Sequence, residues 1–493
     1  MRTLATVALG LVMLAVALHG GVISCARPAV PIVWLSGEDP SGAAATQFHV
    51  STDGSDSNPG TAAQPWRTIQ KAMNSATPGS VVNIHGGTYN ERLGVNVSGS
   101  AGNFITFQPY GFSVPPGGCG GYTGVKCGGD QVVLDYAYLG TVSDGIPFLL
   151  VSGRSYIRIQ GITFQNFTTF ELNGVLNQGV RVDGDSTSVE FKYNRFLENK
   201  DTAPWNGTSA FAHIRVWGPA NNVWFYGNEI GWIVSNYSEA LTADGSTQSQ
   251  LVVENNWIHD TDGIAVDLQH GAHDYTIRGN RFEYISKKRD GTIWYGNPSI
   301  AIYNDGGNTG TIQGNFVTDA GVGIEALSEP GQAATHHVTI RGNIVQRSGV
   351  GIVIGTWYST TDGSSVFDVR VLNNTFYAND NGVVIRPMVS STVVWKNNIF
   401  ASNAASYVNT LGWPPGNADY NLYFGGGTGP DPHMVTADPR FVNAAAGDFS
   451  LQAGSAAIDA GDPATTGDAG QVDFRGLPRF VAGRIDVGAC EAQ

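Results

Sequence analysis

Between Val252 and Gly355 the chain repeats one apolar–polar phrase four times. A short apolar run ends in Asn, an apolar pair follows, then a loop, then a Gly-Ile-x-apolar run (Ser-Ile in one copy). The Asn copies are VENNWI (Asn256), IRGNRF (Asn280), IQGNFV (Asn315) and IRGNIV (Asn343). The runs that follow are GIAVDLQ (263–269), SIAIYND (299–305), GIEALSE (323–329) and GIVIGTW (351–357). Weaker copies place Asn194, Asn228, Asn374 and Asn398 in the same series, at steps of 24 to 35 residues. Such a period marks supersecondary units that bury an apolar face only by stacking on one another. Each unit holds three short β-rich runs and no helical period. The expected architecture is therefore all-β, with parallel strands stacked rung on rung. The recurrent Asn is expected at a sharp inter-strand turn, where it tolerates the left-handed conformation. Its side chains can also bond to one another in a ladder.

These phrases resemble the right-handed parallel β-helix of the pectin-lyase-like superfamily, over about residues 155–405. The resemblance speaks to the fold and says less about activity. The segment STDGSDSNPGT…PWRTIQKA…PGSVVNIHGGTY is similar to the opening of many secreted β-helix proteins. GDFSLQAGSAAIDAG…DFRGLPR…IDVGACE resembles their closing segment. Trp66, Ile69 and Met73 fall at helical spacing after Pro65, which predicts a short amphipathic helix covering the open end of the solenoid. The expected organisation is 47–110 as N-terminal cap and first rungs, 111–440 as the parallel β-helix and 441–493 as C-terminal cap.

The N-terminus reads differently. Arg2 precedes an apolar run from Leu4 to Leu18, and small residues lead to Cys25, so 1–25 is expected to be a secretory signal. VISC resembles a bacterial lipobox, which would make Cys25 a lipid anchor; ordinary cleavage nearby is the alternative. Residues 26–46 read as a linker. No other stretch is long and apolar enough to span a membrane. In an exported chain Cys119 and Cys127, close together in a Gly-rich loop, are expected to pair, leaving Cys490 over. A net charge of −14 without a basic stripe argues against a nucleic-acid partner. The chain is expected to work as a monomer.

If the GIAVDLQ-like strands form one sheet, alternation points Ile264/Val266, Ile300/Ile302 and Ile324/Ala326 to the core. The outward stripe is then Arg181 and Asp183, Arg215 and Trp217, Ala265 and Asp267, Ala301 and Tyr303, Glu325 and Leu327, continued by Val353 and Trp357. Three insertions, 165–178, 197–212 and 284–298, precede this same strand, and insertions in solenoids gather on the binding face. Sugars stack on aromatic rings, and carboxyls do acid–base work on them. Asp267 is the expected catalytic group, with Glu325 or Asp305 as partner. Arg181, Asp183, Arg215, Trp217, Tyr303, His270 and Lys288 are the expected substrate-binding residues. Asp267 and Asp305, one rung and two residues apart, would lie roughly 8 Å apart, inside the window of inverting glycosidases. Asp267 and Glu325 would be two rungs apart and offset.

A lyase would use other groups: a base, and a cation or Arg that neutralises a uronate. Lys287, Lys288 and Arg289 lie in the third insertion, and Arg181 and Arg215 could hold carboxylates bidentately. Some pectate lyases of this fold hold calcium with clustered Asp residues; calcium remains open here, although no Asp cluster of that density is present. Nor are the paired Asp and the Gly-His-Gly of the polygalacturonases complete. His270 and His273 could bind metal or simply shape a turn. The expected function is cleavage of an extracellular polysaccharide, by hydrolysis or by elimination. The alternative is a non-catalytic surface protein that binds glycans or acts as an adhesin.

Overall fold

The computed structural model describes residues 45–493, apart from 116–117, 120–124, 143, 170–177, 202–210, 235–237, 286–298, 330, 357–364, 388–389, 391, 410–411, 413–415, 466–468 and 482. The expected signal, Cys25 and most of the expected linker lie outside the described residues. So do Lys287, Lys288, Arg289 and Trp357. The described strands collect into three long sheets of 13, 12 and 11 strands. Each turn of the chain gives one strand to each sheet: Ser249–Glu254, then Trp257–Thr261, then Ile264–Gln269. Neighbouring rungs pair in parallel. This is the right-handed parallel β-helix that the repeat implied. Inward columns such as Ile230, Ile258, Phe282 and Val317 fill its interior.

The corner between the first and second sheets is two residues wide, and the two have separate tasks. The first takes the left-handed backbone: Asn255 (φ 55°), Gly279 (φ 64°) and Gly314 (φ 62°). The Asn that follows does not, which corrects the expectation that the recurrent Asn itself is left-handed. Instead it builds the ladder. Asn280 donates from its backbone N and its Nδ2 to Asn315 Oδ1, each at 3.0 Å, and from Nδ2 to the Val253 carbonyl at 2.8 Å. Both amide hydrogens and the oxygen are therefore satisfied in a site closed to water. The same pattern joins Asn194, Asn228, Asn256, Asn280, Asn315, Asn343, Asn374, Asn398 and Asn421. The Asp431 carboxylate ends the ladder by accepting from Asn421.

The first end is closed by the Ile69–Ser75 helix, N-capped by Thr68. Ile69, Ala72 and Met73 pack into the main core. Trp66 precedes the helix and bridges to Val50, so the helix starts later than its sequence spacing implied. The tail does more than sit at the other end. Phe449 and Phe474 pack on Phe316 and Ile344, and Ala457 and Val487 on Ile399 and Leu422, along the outer face of the second sheet. Cys119 and Cys127 form a disulfide. Cys490, expected to be left over, is buried and also disulfide-bonded.

Candidate active site

The third sheet does hold the GIAVDLQ-like strands, in a register that differs from the one their motifs suggest. Its outward column reads Arg181, Arg215, Thr242, Asp267, Tyr303, Glu325, Val353 and Val384, one residue per rung. Asp267 and Glu325 therefore share a column two rungs apart, with Tyr303 between them and no offset. Their Cα separation is about 9.6 Å. The Gly-Ile motifs had suggested an offset because Ile264 pairs, through Ile300, with Val322 and not with Ile324.

The physical reason lies where the strand leaves the corner. A Cβ on Gly323 would come within 2.4 Å of Val345 Cγ1, so this position points inward and must be small. In register with it stand Ala265 and Ala301, which join the main core although the sequence placed them outside. Ile264 and Ile300, expected inside, pack outside with Tyr303, Leu327 and Val353. Two successive residues, Ala265 and Val266, both face the core, and simple alternation fails there.

One rung was absent from the sequence reading. Ser238–Asp244 (SEALTAD) lies between the strands of Arg215 and Asp267. It carries no Gly-Ile phrase and few β-branched residues. It supplies Glu239, Thr242 and Asp244, and these reorganise the site. Asp267 donates a hydrogen bond to Glu239, which also accepts from the Thr242 hydroxyl. Arg215 pairs with Asp244 and lies over the Trp217 ring at 4.8 Å. His270 Nδ1 approaches Asp244 Oδ1 at 2.9 Å. Further along, the Tyr303 hydroxyl donates to Glu329, whose backbone N–H donates to Asp305.

The stripe is not an open wall. Asp267, Asp305, Tyr303 and Glu325 are all buried, whereas Trp217 is 44% exposed and the His270 side chain is 50% exposed. The acids thus lie beneath an accessible lip. Burial, and then the neighbouring Glu239 and Asp305, push Asp267 well above the usual carboxylate range. Burial and Glu329 raise Asp305 to about 7. Burial raises Glu325 to about 8, against the pull of Arg386. For Asp244 burial acts upward, but His270 and Arg215 hold it low. Raised acids therefore lie close to the lowered Asp244, an arrangement that divides protonated from ionised carboxyls. Asp267 Oδ1 and Glu325 Oε2 are buried without a hydrogen bond among the described residues.

The arginines differ from expectation in one respect. Arg181 and Arg215 do stack in register, but Arg181 pairs with Asp183 at 2.8 Å and Arg215 with Asp244. Neither guanidinium is reserved for a substrate carboxylate. No three His, Cys, Asp or Glu side chains among the described residues form a ligand group.

Residues 149–332 match the family described as right handed beta helix region, and residues 52–97 a family of unknown function, DUF1565. An uncharacterized protein of Bacillus subtilis, YwoF, is 25% identical over 450 residues, covering 83% of this chain and 92% of that protein. The crystal structure of pectate lyase Pel9A superposes with a TM-score of 0.51 at 15% identity, over 92% of this chain and 98% of the other. Register, ladder and superposition agree on one architecture: the chain is a right-handed parallel β-helix.

Proposed function

We propose that this protein cleaves an extracellular polysaccharide by acid–base hydrolysis, with Asp267 as the general acid. The observation that carries the reading is the Asp267–Glu239 hydrogen bond, made in a buried column beneath an exposed Trp217–His270 lip. Burial and this bond keep Asp267 protonated at neutral pH, and the proton leaves Glu239 when the glycosidic oxygen takes it. A saccharide resting on Trp217 would bring its glycosidic oxygen toward Asp267. The acid gives its proton to that oxygen as the bond to the anomeric carbon breaks. Asp305 or Glu325, when ionised, takes a proton from the water that forms the new bond. Pel9A, a pectate lyase by name, adds a polysaccharide-cleaving protein on the same fold. Export rests on residues 1–25 alone.

Elimination is the competing chemistry, and it needs a cation to neutralise a uronate. Arg181 and Arg215 are already paired with carboxylates, which favours hydrolysis. A panel of polysaccharides read in two ways tests the proposal. Reducing ends should appear without the ultraviolet band of an unsaturated sugar. That band would make the protein a lyase. Binding with no cleavage of any member would leave the non-catalytic alternative.

A further inference from the structure

We propose that the outer face of the second sheet carries a separate saccharide-binding cavity, floored by Arg195, Glu229 and Trp257 and walled by residues 125–129 of the disulfide loop. The three floor residues occupy one outward column, one per rung. The space above them is about 340 Å³, within the range of small-molecule sites. It lies on a different sheet from Asp267 and does not depend on catalysis there.

The floor is built to hold an indole still. The Trp257 ring stacks on His259 with centroids 3.8 Å apart, and its Nε1 donates to Glu283 at 2.9 Å. Trp232 meets the same imidazole edge-on at 4.8 Å. His259 is fully buried, with Nδ1 2.7 Å from Asp260 and Nε2 3.4 Å from Glu229. Its seat exists because residue 231 is glycine: a Cβ there would come within 2.5 Å of the imidazole Cε1. An outward sheet face needs none of this for stability. Apolar packing would serve as well as buried ion pairs. A rigid aromatic ring beside oriented charged groups does suit a sugar, which offers a C–H face to the ring and hydroxyls to the charges.

The polar groups select among sugars. Arg195 Nε pairs with Glu229 Oε2 at 2.7 Å. Lys126 and Asp130, also on the cavity wall, again balance one another in charge. A site with two cations and two carboxylates favours a neutral pyranose over a uronate. The Cys119–Cys127 bond ties down the wall that carries Lys126.

The test is native electrophoresis of the full chain carrying Asp267→Asn, in gels containing a β-glucan, a galactomannan or an arabinoxylan. At least one gel should retard the protein. Trp257→Ala should weaken that binding by on the order of tenfold, and Trp257→Phe should keep most of it. Circular dichroism melts check folding; should Trp257→Ala fail to fold, Lys126→Ala and Arg195→Gln, on partly exposed side chains, should each weaken retardation. Trp217→Ala should leave a component of the retardation that Trp257→Ala then removes. The cavity is refuted if no gel retards the protein, or if well-folded variants of the floor bind as tightly as the parent. It is refuted equally if Trp217→Ala alone abolishes binding, which would assign the saccharide to the third-sheet groove.

Discussion

Asp267 shows how a single residue acquires a function from its neighbours. On an open sheet it would be an ordinary ionised carboxylate. Buried beside Glu239 it keeps its proton, and a proton held at neutral pH is what a general acid needs. Asp267→Asn should lower turnover by at least about a hundredfold, with the melting curve little changed because the side chain points away from the core. Full activity in a folded variant would move the chemistry elsewhere; the segment holding Lys287, Lys288 and Arg289 would be next. The same burial makes stability depend on pH. Asp305 is raised from 3.8 to about 7 and Glu325 from 4.5 to about 8. The folded state binds more protons than the unfolded state between these limits, so stability falls as pH rises. These two groups contribute fully below about pH 4, and their contribution is lost between there and about pH 8. Glu325→Gln should flatten that slope, as melting midpoints measured across pH 4–9 would reveal.

At the scale of one rung, the Asn ladder and the small inward residue do the work. Asn315 is fully buried and uses its oxygen and both amide hydrogens. Asn315→Ala removes that amide and leaves its partners' groups unpaired, which should cost about 1–3 kcal/mol. An unchanged melting midpoint would count against the ladder. Gly323→Ala meets Val345 and the Gly351 carbonyl at once. It should cost about 1–3 kcal/mol through overpacking, whereas Gly94→Ala, where an added Cβ meets no atom within 4 Å and the backbone is not left-handed, should cost far less.

For the whole molecule, the tail is a second layer and not merely an end piece. Phe474 packs on Phe316 and Ile344, and Asn373 and Thr375 bond to the backbone of residues 486 and 489. Arg479 is fully buried and donates to the carbonyls of Gly488 and Ala489. Phe474→Ala should lower stability by about 3–5 kcal/mol if the tail unfolds with the solenoid. Two separate thermal transitions, with only the first one shifted, would show that the tail unfolds alone.

Some of this was legible in the sequence because it depends on residues close together in the chain. The Asn phrases, their spacing and the β-rich runs determined a parallel solenoid. Cys119 and Cys127, eight residues apart, could be paired on proximity alone. Asp267, Asp305, Tyr303 and Glu325 could be placed on one strand series by their shared phrase. What the phrase could not settle was register. A shift of two residues, at the corner where Ala265 and Val266 both turn inward, decides whether Glu325 aligns with Asp267. It depends on the space beside Val345, in another sheet. Glu239 and Asp244 escaped for a related reason: their strand has no Gly-Ile phrase, and only stacking between its neighbours reveals it. Whether Asp267 holds a proton depends on burial and on a carboxyl 28 residues away. Those are properties of the folded stack, because desolvation and charge proximity arise only when rungs distant in sequence come into contact.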